Sequence, residues 1–183
     1  MLKNAAAMTL ALILSAGSAA AAQERKDLQI FRDISDQVNR YTQFTIFDNV
    51  EASVTHGRVV LTGAVTMPFK RTDLERRVRE VLGVTEIDNQ IEVLPVSQFD
   101  DELRFRIARA IYSNSAFWNY AAMANPPIHI VVNRGRVTLT GVVQSNVERM
   151  LARSLATGFA AFEVKNELKT DEEARAEVER IGS

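Results

Sequence analysis

No cysteine occurs in this chain, which excludes disulfides, a CxxC redox site, a thiol nucleophile, a lipidated N-terminal cysteine and every cysteine-ligated metal centre. Histidine is almost as scarce. His56 and His129 fall in different halves, with no His, Asp or Glu at metal-ligand spacing around either. Both are read as surface residues, and neither a zinc site nor a catalytic triad is indicated. Serine and threonine are plentiful, but none sits in a G-x-S-x-G nucleophile elbow. The sequence therefore nominates no catalytic residue, cofactor or metal. No sign of charge dominates either: 22 Lys and Arg stand against 23 Asp and Glu, a net charge of −1, without the basic excess of a nucleic-acid binder. After residue 22 no apolar run is long enough to cross a bilayer.

What is present begins with a leader. Lys3 supplies a positive start, Ala5 to Ala16 an apolar run of secretory length, and Ala20-Ala21-Ala22 a small-residue cleavage site before Gln23. Residues 1–22 are read as a removable signal peptide and the mature protein is expected in an extracytoplasmic space. Disulfides are available there, yet without cysteine the mature chain must hold together by burial alone.

The stretch Gly57-Arg58-Val59-Val60-Leu61-Thr62-Gly63 returns 78 positions later as Gly135-Arg136-Val137-Thr138-Leu139-Thr140-Gly141. The chain thus holds two copies of one small module. In the first, Ile30, Phe31, Ile34, Val38 and Tyr41 recur at helical spacing between Leu28 and Tyr41. Val50, Ala52 and Val54 then alternate with polar residues, His56-Gly57 forms a two-residue loop, and Val59, Leu61 and Val65 continue on the return strand. Pro68 suits a helix start, with Leu74, Val78, Val81 and Leu82 on one face. Gly83 ends that helix, and a last strand places Ile87, Ile91 and Val93 on one side.

In the second copy Ile107, Ile111 and Phe117 match Ile34, Val38 and Phe44 at an offset of 73, whereas the hairpins match at 78. Five extra residues therefore lie within Trp118 to Pro127. Ser145 and Glu148 read as a capping box opening the second helix. Asn166 takes the place of Asn89 in the last strand, and a charged tail from Thr170 on, a short helix at most, is expected to fray rather than pack.

The fold class is α+β: two tandem αββαβ modules, each a three-stranded mixed sheet with both helices on one face. The expected units are residues 28–94, 101–169 and the tail 170–183. Gly57, Gly63, Gly83, Gly135 and Gly141 are read as structural turns. Each sheet keeps one open face, showing Glu51, Ser53 and Thr55 in the first module and His129, Val131 and Asn133 in the second. The second, having lost the acid and gained a valine, is the better candidate for contact with the other repeat or a partner.

An αββαβ unit with Gly-x-Val-x-Leu-x-Gly across its hairpin, duplicated behind a leader, resembles the BON domain family. Gly57, Val59, Leu61, Gly63, Gly83-Val84 and Asn89 carry the resemblance in the first copy, and Gly135, Val137, Leu139, Gly141 and Asn166 in the second. The second departs with Ala161-Phe162 where Gly-Val is usual. The resemblance implies a periplasmic protein of envelope integrity or envelope and osmotic stress, with phospholipid surfaces as the target and no catalytic residues. It is nearer to the dual-domain osmotically inducible members than to lipoprotein ones.

Two surface features follow from the residues themselves. Lys70, Arg71, Arg76, Arg77 and Arg79 look basic, but acids four positions away make the cluster self-neutralising. The segment from Phe117 is different: aromatics present in one copy only are not required by the fold. Residues 98–169 also carry nine Lys or Arg against six Asp or Glu. Arg104, Arg106, Arg109, Phe117, Trp118, Tyr120 and Met123 are therefore the candidate contacts with anionic phospholipid or an envelope protein, as a peripheral association.

Overall fold

The computed structural model describes the backbone of residues 16–181 and the side chains of residues 26–179. Most of the expected leader, residues 1–15, lies outside the described residues. The first module consists of α1 (Ala16–Asn39), β1 (Asn49–Thr55), β2 (Arg58–Val65), α2 (Pro68–Arg79), β3 (Glu86–Asn89) and β4 (Glu92–Val93). The second has α3 (Gln98–Tyr112), a 3-10 turn (Ser115–Phe117) running into the short α4 (Trp118–Ala121), β5 (Ile128–Asn133), β6 (Arg136–Val143), α5 (Asn146–Thr157), β7 (Glu163–Asn166) and β8 (Lys169–Thr170). An eleven-residue helix, α6 (Asp171–Ile181), closes the chain.

In each module the hairpin strands pair antiparallel, and both pieces of the last strand pair parallel to the second hairpin strand. The last strand of each module is interrupted once, and in the same way. Asn89 accepts from the Ile91 amide and donates to the Arg71 carbonyl; Asn166 does the same with Leu168 and Arg149. Each asparagine thus takes a ladder donor out of the sheet and ties the break to the helix above. Beyond the break Val93 is exposed and Leu94 buried, so the alternation read through Val93 ends there.

Apolar periodicity places Ile30, Ile34, Val59, Leu61, Leu74 and Val78 in the first core and Leu103, Ile107, Ile111, Val137, Leu139 and Ala152 in the second. Leu82 stays outside because α2 stops at Arg79 and the chain turns before it. Both hairpins have positive φ at both central residues, 53° and 78° at His56-Gly57 and 51° and 75° at Arg134-Gly135, as a two-residue turn of this hand requires. One carboxylate binds each turn. Asp27 accepts from the His56 and Gly57 amides at 2.7 and 3.0 Å, and Asp100 from those of Arg134 and Gly135 at 2.8 Å each. The two acids stand 73 apart, the offset of the helices, so each module fastens its first helix to its own hairpin.

Gly63 and Gly141 are not turns. They lie inside β2 and β6, opposite Val50 and Ile128, with φ of 109° and 110°. At the base of the hairpin the neighbouring backbone passes where a side chain would stand. The tail is packed where fraying was expected: the helix α6 is held by Glu173, which takes Arg149 at 2.8 Å, and by Glu177, which pairs with Lys169. Its three leading acids match the helix N-terminus, which favours negative charge.

Candidate functional site

The two modules touch through the loop between α1 and β1. The Ile130 amide of edge strand β5 donates to the Ile46 carbonyl at 2.7 Å, and Asn125 reaches the Asn39 carbonyl at the end of α1, also at 2.7 Å. Phe47 packs on the second core and meets Phe105 edge-on at 5.2 Å. His129 is drawn into this contact rather than left on the surface. Its Nδ1 lies 2.7 Å from the Asp48 carbonyl and its ring 5.4 Å from Phe44. Burial pushes the imidazole below its ordinary value, against the opposing pull of the Asp48 and Thr45 backbone and the Asp48 charge.

This makes the contact proton-linked. A histidine held neutral in the folded state contributes stability that is complete above its unfolded value, near 6.5, and is lost as pH falls through the lowered folded value. The apparent melting temperature should fall between pH 7 and pH 5. His129→Gln, measured over the same range, should flatten that step, and an unchanged step in the variant would assign it elsewhere.

Beneath the contact is a buried charge. Lys70 does not belong to the solvated basic face of α2: its Nζ lies 2.7 Å from Asp48, and the two side chains are 6% and 0% exposed. On that face Arg79 pairs with Glu75 as expected, whereas Arg76 takes Asp73 and Arg77 lies over the Tyr41 ring at 4.7 Å. The Asp48 carboxylate accepts five hydrogen bonds, from Lys70 and from the amides and hydroxyls of Thr45 and Thr66. Burial alone would raise its pKa, but these donors outweigh burial and hold it below the ordinary value.

The second module closes the same corner with other chemistry. Thr66 and Lys70 correspond, at the hairpin offset, to Gln144 and Glu148. There the Tyr120 hydroxyl bonds Glu148 at 2.7 Å, and both receive the Gln144 amide at 2.9 Å. The acid on α5 needs a donor where the lysine on α2 needs an acceptor, and the inserted segment supplies it. Glu148 accordingly reaches back to Gln144, one residue before the Ser145 cap. Comparing position 70 with position 148 would have exposed this exchange from sequence.

The seven candidate contact residues are therefore divided. Phe117 is fully buried, stacked at 6.0 Å on Tyr120, itself 4% exposed. Arg104 is also buried, bonded to Asp101 and to the Val132 carbonyl, where it satisfies the end of β5. These three serve their own module and present no surface to a ligand, because small domains need their aromatics in the core. Trp118, Met123, Arg106 and Arg109 remain outside. Trp118 is 73% exposed at the start of α4, between buried Phe117 of the preceding 3-10 turn and buried Tyr120. Arg106 is paired with Glu102 at 3.3 Å, and both are solvated. Exposed Val147 and Met150 flank Glu148 on α5, and at the second hairpin Phe99 stacks on exposed Phe162 at 6.2 Å.

Among the described residues no three His, Asp or Glu gather in a way that could hold a metal ion, and no helix is long and apolar enough to cross a membrane. No curated protein matches the chain. Its backbone is similar to that of the type III secretion structural protein CdsD of Chlamydia trachomatis, at 12% identity and a TM-score of 0.29 over 82% of this chain and 97% of that one. For the C-terminal domain of CdsD the values are 11% and 0.28 over 76% and 96%. The BON domain pattern matches twice, at residues 26–95 and 100–172. BON domains are found in envelope-associated proteins and are generally non-catalytic, which supports a membrane-related, non-enzymatic role. The chain belongs to the BON domain family and carries the domain in tandem.

Proposed function

We propose that this is a periplasmic, non-enzymatic protein of envelope integrity under osmotic or envelope stress, which associates peripherally with anionic phospholipid surfaces through its second module. The observation that carries this reading is Trp118. A tryptophan 73% exposed, next to buried Phe117 and two positions from buried Tyr120, is presented to solvent, and indole favours the headgroup layer. Met123 enters beside it, and Arg109 and Arg106 meet lipid phosphate. Each basic residue near an anionic surface contributes about 1 kcal/mol, so the association is weak and salt-sensitive.

Co-sedimentation with vesicles containing anionic lipid at low salt should show binding that falls at least fivefold in Trp118→Ala and with physiological salt. Absence of binding at low salt, or a Trp118→Ala variant that binds like wild type, sinks the lipid reading. A second reading, a protein or peptidoglycan adaptor, is favoured by the exposed Phe99–Phe162 pair, an apolar feature at the second hairpin, where Arg136 is already paired with Glu163. It predicts envelope capture that depends on Phe162 and not on Trp118.

A further inference from the structure

Between the modules lies a cleft of about 740 Å³, within the range of small-molecule sites and at the domain boundary where such sites concentrate. Phe31 and Val38 of α1, Phe44, Val142 of β6 and Val178 of α6 supply apolar walls. One polar group inside is unanswered. Thr140, on β6 opposite His129, is 4% exposed, and its hydroxyl has no hydrogen-bond partner among the described residues although the side chain lines the cleft. Buried hydroxyls are ordinarily bonded, so one left open in a cavity wall points to a ligand group.

Charge narrows the class. The cleft is lined by Glu51, Glu167 and Glu177 against Lys169. Lys169 is engaged by Glu177, and Glu167 by Lys165 at 2.5 Å, while Glu51 has no ion-pair partner among the described residues. His129, held neutral, adds no cation. An anionic headgroup would meet an excess of acid here.

We propose that the inter-module cleft binds a single-chain amphiphile with a protonated amino head, its chain against the apolar walls, its charge toward Glu51 and an N–H on Thr140. The site is separate from the Trp118 surface and does not depend on it.

The test uses the full chain and the uncharged fluorophore N-phenyl-1-naphthylamine, displaced by dodecylamine, dodecanol or dodecanoate below their aggregation concentrations. Saturable binding of one fluorophore per chain is expected, with dodecylamine displacing it at a concentration at least tenfold lower than the other two. Ala124→Trp, at an exposed loop position lining the cleft, should abolish the signal with unchanged vesicle binding and melting temperature. Thr140→Val should weaken dodecylamine about fivefold without lowering the melting temperature, since it removes an unbonded polar group. Glu51→Lys should reverse the order of dodecylamine and dodecanoate. Absence of saturable binding, equal displacement by dodecanol or dodecanoate, or an Ala124→Trp protein that binds like wild type overturns the proposal.

Discussion

Asp48→Ala is expected to cost about 3–5 kcal/mol of unfolding free energy, the range for removing one partner of a buried ion pair. The loss comes from what remains. Lys70 would keep its charge in a site 6% exposed, while Thr45 and Thr66 would lose the acceptor for their amides and hydroxyls. The expected signature in urea denaturation is a lower midpoint at an unchanged slope. Adding Lys70→Met should restore at least about 2 kcal/mol, because an apolar side chain of similar length does not require a counter-charge. A single variant within about 1 kcal/mol of wild type would mean that water enters the corner and solvates the ammonium. Acid provides an independent check. The contribution of a carboxylate with a lowered pKa is complete above its unfolded value of 3.8 and is lost as pH falls through the lowered folded one, well below the step assigned to His129.

Gly141→Ala should be nearly as damaging, at about 3 kcal/mol or more, by a different route. A Cβ there would stand 1.8 Å from the Pro127 carbonyl oxygen, and the φ of 110° is one that side chains rarely adopt. Backbone obstructs the position, so relief requires β5 and β6 to part at their base. Gly135→Ala shows the contrast. Its Cβ would meet the Phe162 and Phe99 rings, which can swing aside, and alanine there costs mainly left-handed strain of roughly 1 kcal/mol. Gly158, with φ of −70° and only ordinary contact, is the control: alanine should be neutral or stabilising by up to about 1 kcal/mol. Thermal melts of the three variants rank them. Equal losses at 141 and 158 would rule out the close approach.

The hairpins were legible in the sequence because their determinants are neighbours in the chain. Alternation of Val59 and Leu61 and a two-residue loop ending in glycine act over a few residues, and such a loop sets the register that pairs Glu51 with Thr62 and His129 with Thr140. The αββαβ order followed for the same reason. Leu82 and Val93 were misplaced because the first lies three residues past the end of α2 and the second beyond the break in the last strand.

The candidate site was half legible. One copy's extra aromatics marked α4 correctly as the place where the modules differ, but hydropathy cannot say which of Phe117, Trp118 and Tyr120 point inward. That depended on the Gln144–Glu148 corner needing a donor, a demand set 24 and 28 residues away from Tyr120. Arg104 was read as a surface cation for the same reason: its partner, the Val132 carbonyl, lies 28 residues along the chain.

The sequence by itself determined the module, its duplication and its family, because periodicity and turn chemistry are local and additive. Only the tertiary structure decided the fate of the charges and of His129. Whether Lys70, Arg104 or an imidazole is solvated depends on what another element places beside it, and burial turns the same residue from a weak surface charge into a strong structural constraint.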